Sequence, residues 1–256
     1  MSLTDKVILV TGGTSGIGEA CTTHFAELGN KVVFASIQAD KGAEMQQELQ
    51  TAGHDAIFVE TDVTDDAGVA ALVKESLAAY GRIDCLMSNA GAWREGKVTD
   101  FSDDDYNFIF GVNVRGNFLL LKHIVPVMEQ QGKGTVLITT SVAAFVGFPA
   151  HALYCASKAS LDALIRCMAT DYAGIIRTVG ICPGTIDTPM LRASCAGWDI
   201  PEEELLADVA KKIPVRRLGT PDDVAKAAAF LLSDDAGYIN GSSLMMEGGT
   251  LALPPW

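Results

Sequence analysis

The chain has 256 residues and a formal net charge of −13, long enough for one large α/β domain with a proper core and too acidic for a nucleic-acid or anionic-membrane partner held by bulk electrostatics. Six cysteines lie far apart, with no CxxC pair and no histidine at ligand spacing, so neither a metal site nor a disulfide framework is expected. The first residues lack the layout of a signal peptide, and the apolar run 118–127 is broken by Lys122 and Pro126, so a cytoplasmic protein without membrane contact is expected.

Residues 6–11 form a Val/Ile/Leu run that ends in the glycine-dense turn Thr11-Gly12-Gly13-Thr14-Ser15-Gly16-Ile17-Gly18, and a helical pattern follows to Gly29. Strand, glycine turn and helix make a phosphate-binding arrangement, because glycines let the backbone approach a pyrophosphate and the helix N-terminus offers unpaired N–H groups. A glycine turn without a ligand has the same spelling, and the generic G-x-G-x-x-G spacing is not met: Cys21 stands at the third position. Residues 31–36 read as a second strand and 40–52 as a helix with Asp40 as its N-cap. The residue at the tip of the second strand selects the cofactor, an acid holding a ribose 2′-OH and a base a 2′-phosphate. Here the tip is Ser36-Ile37, and Ser15 is also uncharged, so with no cation to meet a phosphate the reading leans to NAD(H) over NADP(H).

A third strand, 56–60, leads to Asp62-Val63, where Asp62 either holds an adenine amine or turns the chain into the next helix. The fourth, 83–87, ends in Ser88-Asn89-Ala90-Gly91, small residues where a parallel strand's carboxyl end meets a ligand. A helical region over 103–131 is interrupted around Asn113, whose amide destabilises an apolar face unless it is satisfied. The strand 134–140 delivers Ser141, and the helix 152–172 carries Tyr154 and Lys158 four apart, hence on one face. A cation fixed beside a phenol favours phenolate, which makes Tyr154 a usable acid or base; the same spacing also suits a packed ring beside a solvated amine. Residues 177–182 form a sixth strand closed by Pro183-Gly184, a mixed segment over 185–214 has an amphipathic piece at 202–212, and a helix at 221–232 precedes a last strand at 243–246. The mixed segment has the length and place of a substrate lid.

In this order the motifs resemble those of the short-chain dehydrogenase/reductase family, single-domain type, across essentially the whole chain: residues 11–18, Asp62-Val63, Asn89-Ala90-Gly91, Asn113, Ser141, Tyr154 to Lys158, and Pro183-Gly184 with Thr188. The resemblance implies one dinucleotide-binding and catalytic domain over 1–256, a doubly wound Rossmann-like three-layer α/β sandwich with a seven-stranded parallel sheet. It implies that Tyr154 is the acid/base, that Lys158 lowers its pKa and bonds the nicotinamide ribose, that Ser141 polarises the substrate, and that Asn113 holds a water linking Lys158 to solvent. The cofactor surface it implies runs over Gly12, Thr14, Ser15, Gly16, Ile17 and Gly18, the tips at Ser36, Asp62 and Val63, then Asn89, Ala90 and Gly91, Tyr154 and Lys158, and finally Pro183, Gly184, Ile186 and Thr188. Three positions depart from the family's habit: Ser88 for a first Asn, Val179 for an Asn, and the uncharged Ser36-Ile37.

These features point to an oxidoreductase passing a hydride between a nicotinamide cofactor and a secondary alcohol or ketone, with a non-catalytic cofactor-binding regulator or scaffold as the alternative. An NAD(P)-dependent double-bond reductase would want another Tyr/Lys spacing. The candidate substrate pocket comprises Trp93, Arg94, Val142, Phe145, Phe148, His151, Met190, Leu191 and Trp198, mostly large and apolar, which favours a hydrophobic or cyclic small-molecule substrate; Arg94 and His151 are the residues able to grip a polar end. A homotetramer is expected, with a dimer next, because long helices such as 103–131 and 152–172 pack between subunits in many family members and the apolar tail 251–256 wants a partner.

Overall fold

A computed structural model of the chain describes residues 3–195 and 200–252. Among these, seven strands form one parallel sheet in the order β3-β2-β1-β4-β5-β6-β7: β1 Val7–Thr11, β2 Lys31–Ser36, β3 Ala56–Glu60, β4 Cys85–Ser88, β5 Gly134–Thr139, β6 Ile176–Pro183 and β7 Ser243–Met246. Successive side chains of a strand face opposite ways. Ile8, Val10, Val32 and Phe34 therefore pack on one side of the sheet, with Phe25, Met45 and Val224. Leu9, Val33 and Ala35 pack on the other, with Val69, Leu72, Leu120 and Ile165. Burial of both faces is why these strands read as continuous apolar runs rather than alternating ones.

The helices that cover the first face are α1 Gly16–Glu27, α2 Ala39–Thr51 and α9 Pro221–Leu232; the second is covered by α3 Asp66–Tyr80, α5 Gly116–Gln131 and α6 Ala152–Asp171. The expected three-layer, doubly wound architecture is the observed one. Beside β1 the chain order reverses, so the crevice between the ends of β1 and β4 is the topological switch point where such sheets bind ligands. Register places Ile8 level with Val32 and Cys85, which brings the ends at Thr11 and Ser88 to the same rim.

Several boundaries differ from the sequence reading for local reasons. The fourth strand starts at Cys85 rather than Ile83, because the Ile83 N–H donates to the Gln131 side chain at 3.0 Å instead of joining a ladder. The N-cap position of α2 is Gln38, and Asp40 lies inside the first turn, where a carboxylate complements the helix dipole without capping it. The expected interruption near Asn113 is a single π turn, Gly111–Arg115, joining α4 Asp103–Phe110 to α5 without breaking the helical run. Within 185–214 lie α7 Pro189–Ser194 and α8 Glu202–Lys212, and an isolated parallel bridge between Ile186 and Gly219 fastens the start of the segment where no pairing was expected. Trp198 and the end of the apolar tail fall outside the described residues.

Candidate active site

The turn after β1 is shaped by close approach. Gly12 adopts φ +64°, and a Cβ on Gly18 would lie 2.0 Å from the Gly12 carbonyl oxygen, so only glycine fits where α1 begins. Ser15, the N-cap residue of α1, makes no side-chain cap, which leaves the first N–H groups of the helix directed into the crevice without a partner from that side chain. This cradle fits a pyrophosphate. Gly12, Ser15, Gly16 and Ile17 line the crevice, together with Asn89, Ala90, Gly91, Pro183, Gly184, Ile186 and Thr188.

Five of the residues expected at the cofactor, Thr14, Gly18, Ser36, Asp62 and Val63, do not line this part of the cleft. Thr14 is buried, with Oγ1 2.7 Å from Gln38 Oε1 and 2.8 Å from Ser36 Oγ; it donates to the amide oxygen and accepts from the serine, tying the turn to the tip of β2. Asp62 accepts from the Thr64 N–H and hydroxyl, both at 2.8 Å, which is the turn-forming reading of that residue. Val63 is a core residue. Sequence reasoning missed Gln38, whose signal was its place two residues past the strand tip.

At the exit of β4, the Thr11 hydroxyl accepts from Asn89 N at 3.1 Å and Ala90 N at 3.2 Å, and Asn89 Oδ1 accepts from Thr139 Oγ1 at 3.2 Å. Asn113 is fully buried and satisfied: Oδ1 accepts from Ala92 N at 2.7 Å, and Nδ2 donates to Ala92 O and Ser157 Oγ, both at 2.9 Å. Its amide therefore clamps the loop after β4 to α6, and a second lone pair on Oδ1 and on the backbone carbonyl, which accepts from Asn117 Nδ2 at 2.7 Å, is left for the water relay that the resemblance implied. Ser157, unmarked in the sequence reading, passes the chain on by donating to Tyr154 O at 2.8 Å; the helical period that paired Tyr154 with Lys158 also carries it.

Ser141 follows β5 and caps a short 3-10 turn, Val142–Ala144, by accepting from Ala143 N at 3.2 Å, and its side chain acts on the Tyr154 phenol by lowering its pKa. Lys158 Nζ donates to Thr139 O at 2.9 Å and sits 5.8 Å from the Tyr154 ring centroid. Thr139 thus organises two site residues, one through its carbonyl and one through its hydroxyl, a role no local signal announced. Burial pushes the Lys158 ammonium down to about 8. Within this chain the two leading effects on the Tyr154 phenol oppose each other, burial raising its pKa and Ser141 lowering it.

These groups open on a cleft of about 310 Å³. Of the expected substrate residues, Trp93, Val142, Phe148, His151, Met190 and Leu191 line it. Arg94 does not: it pairs with Asp105 and lies over the Phe108 ring at 4.4 Å, outside the cleft. Phe145 is exposed and also stands apart. Ala143 and Ser194 line the cleft without having been anticipated, since neither carries a sequence signal beyond its neighbours.

A doubly wound sheet with a phosphate cradle and a Ser–Tyr–Lys cluster at its switch point defines the scaffold of a nicotinamide-dependent oxidoreductase. Residues 12–250 match the family model described as enoyl-(acyl carrier protein) reductase. A Thermotoga maritima protein described as an uncharacterized oxidoreductase is 37% identical over 254 residues, 99% of this chain and all of its own. The structure of levodione reductase superposes with a TM-score of 0.94 at 32% identity, covering 98% of this chain and 99% of that one. That of 7α-hydroxysteroid dehydrogenase complexed with NADH and 7-oxo glycochenodeoxycholic acid gives 0.89 at 34%, over 96% and 94%. The chain belongs to the short-chain dehydrogenase/reductase family, oxidoreductases that use nicotinamide cofactors.

Proposed function

We propose that this protein interconverts a secondary alcohol and its ketone, with NAD(H) favoured over NADP(H) and Tyr154 as the general acid/base. The observation that carries the reading is that Ser141, Tyr154 and a buried Lys158 all line one cleft with the glycine cradle. Bound along that cradle, the nicotinamide would supply or accept the hydride. Tyr154 holds the proton that the alcohol oxygen loses or the ketone oxygen gains, and phenolate at its Oη is stabilised by the Ser141 hydroxyl. Lys158, fixed on Thr139 O, places a titratable cation beside the same ring. Asn113 keeps the helix bearing both residues in register with the β4 exit.

No Lys or Arg stands at Ser36, Ile37 or Gln38, and Thr14 spends its hydroxyl within the turn, so nothing there is built to receive a 2′-phosphate. The apolar lining by Trp93, Val142, Phe148, Met190 and Leu191 favours a hydrophobic or cyclic body on the substrate. A cytoplasmic enzyme acting on a small molecule fits this reading. The test is a titration of NADH against NADPH, then a panel of alicyclic alcohols, their ketones and matched enones followed by nicotinamide absorbance. Turnover of alcohols and ketones with tighter NADH binding is expected. Reduction confined to the enone double bond would overturn the reaction, and tighter NADPH binding the cofactor choice.

A further inference from the structure

His151 stands three residues before Tyr154, at the N-cap position of α6, and its carbonyl accepts the first helical bond from Cys155 N at 2.8 Å. Residues three apart share a helix face, and both side chains line the cleft. The imidazole is held by one hydrogen bond and by neighbouring rings. Its Nδ1 lies 2.6 Å from Pro149 O, an oxygen that can only accept, so Nδ1 carries the proton and a neutral ring keeps its lone pair on Nε2. Three aromatic rings surround it, with centroids at 5.3 Å for Trp93, 6.0 Å for Phe148 and 6.4 Å for Tyr154.

The backbone beneath it is equally determined. An isolated parallel bridge joins Gly96 to His151, Gly96 N donates to Ala150 O at 2.8 Å, and Ala150 is held at φ +56°, a left-handed conformation that a residue with a Cβ rarely adopts. Strain of this kind persists where the surroundings over-determine a position, often at ligand-binding sites. Among the described residues, however, Nε2 has no hydrogen-bond partner. Ser194 on the same cleft donates within its own helix, to Leu191 O at 2.6 Å. Of the described residues with a buried, unpartnered polar side-chain atom, Trp93 alone lines the cleft, and its indole N–H is that atom.

We propose that His151 is a substrate-positioning residue whose Nε2 accepts a hydrogen bond from a hydroxyl of the substrate other than the reacting one. The preferred substrates are then diols and hydroxyketones with an apolar body. A hydroxyl fits because it can donate to Nε2, whereas a second ketone or an ether has no hydrogen to donate. The inference rests on the alcohol–ketone reading and narrows its substrate class.

Matched pairs test it: cyclohexanol against the cyclohexane-1,2-diols, and butan-2-one against 3-hydroxybutan-2-one, with full-length protein and saturating cofactor. The expected wild-type kcat/KM is at least ~10-fold higher for the hydroxylated member, the scale of one well-placed hydrogen bond. In His151→Phe, which keeps a ring in the aromatic box, that ratio falls to near one through a raised KM for the hydroxylated member, and His151→Gln restores part of it through the amide oxygen. General loss of packing would lower both members and leave the ratio where it was; that result, or a wild-type ratio near one, overturns the assignment to His151. Wild-type turnover of the mono-alcohol without preference leaves the alcohol–ketone reading standing, whereas turnover of neither member overturns both.

Discussion

Tyr154 and Lys158 were legible because a spacing of four is a helical period, and the helix is where the sequence placed it. What decides the proton chemistry was not legible. Burial of the phenol and the hydroxyl of Ser141, thirteen residues upstream at the end of another strand, act in opposite directions on the same group, and neither is visible in local pattern. This yields a pH prediction. Under the proposed reaction alcohol oxidation needs the phenolate, so kcat/KM should rise with pH as Tyr154 ionises, and a hydrogen bond to the phenolate would draw that limb to lower pH. Ser141→Ala should move the rising limb to higher pH and reduce the rate at neutral pH. A limb that stayed in place in the variant would show that Ser141 does not act on the phenol.

Strands and glycine turns were easier to read than the joints between elements. The turn after β1 is marked by its glycines, and the geometry explains the spacing: Gly18 faces Gly12 O, and a Cβ there would also come within 2.7 Å of Asn89 Nδ2. Gly18→Ala must push the turn open, at a cost on the order of 1–3 kcal/mol for such overpacking. It should weaken NADH binding by at least ~10-fold, checked by fluorescence titration; unchanged affinity would mean that the cradle is not where the cofactor binds. The π turn shows the opposite case. Asn113 was conspicuous as an amide on an apolar face, yet its partners Ala92 and Ser157 are 21 and 44 residues away, so the clamp could only be seen in three dimensions. Val63 likewise sits at a motif position but serves the core, because the chain leaving β3 stays packed under α5, with Gly116 against its side chain.

For the whole molecule, the parallel sheet followed from the alternation of strand and helix, since such crossovers feed parallel strands, whereas the strand order is seen only in the structure. Oligomeric state has no comparable rule, and the surface supplies the argument. Phe108 and Phe118 are exposed on α4 and α5, and β7 is an edge strand presenting Leu244 and Met245; natural sheets seldom leave such an edge bare. A homotetramer is expected, with a dimer next, and light scattering of the eluted protein at micromolar concentration checks it; a monomer would contradict it.

The substitution Tyr154→Phe separates binding from chemistry by removing one oxygen. Because the substitution leaves the glycine cradle as it is, NADH affinity should stay within about threefold of wild type, while alcohol oxidation and ketone reduction fall by at least ~100-fold, the loss expected for a general acid/base. Near-normal turnover in that variant, with cofactor still bound, would contradict the assignment of Tyr154 as the group that moves the proton.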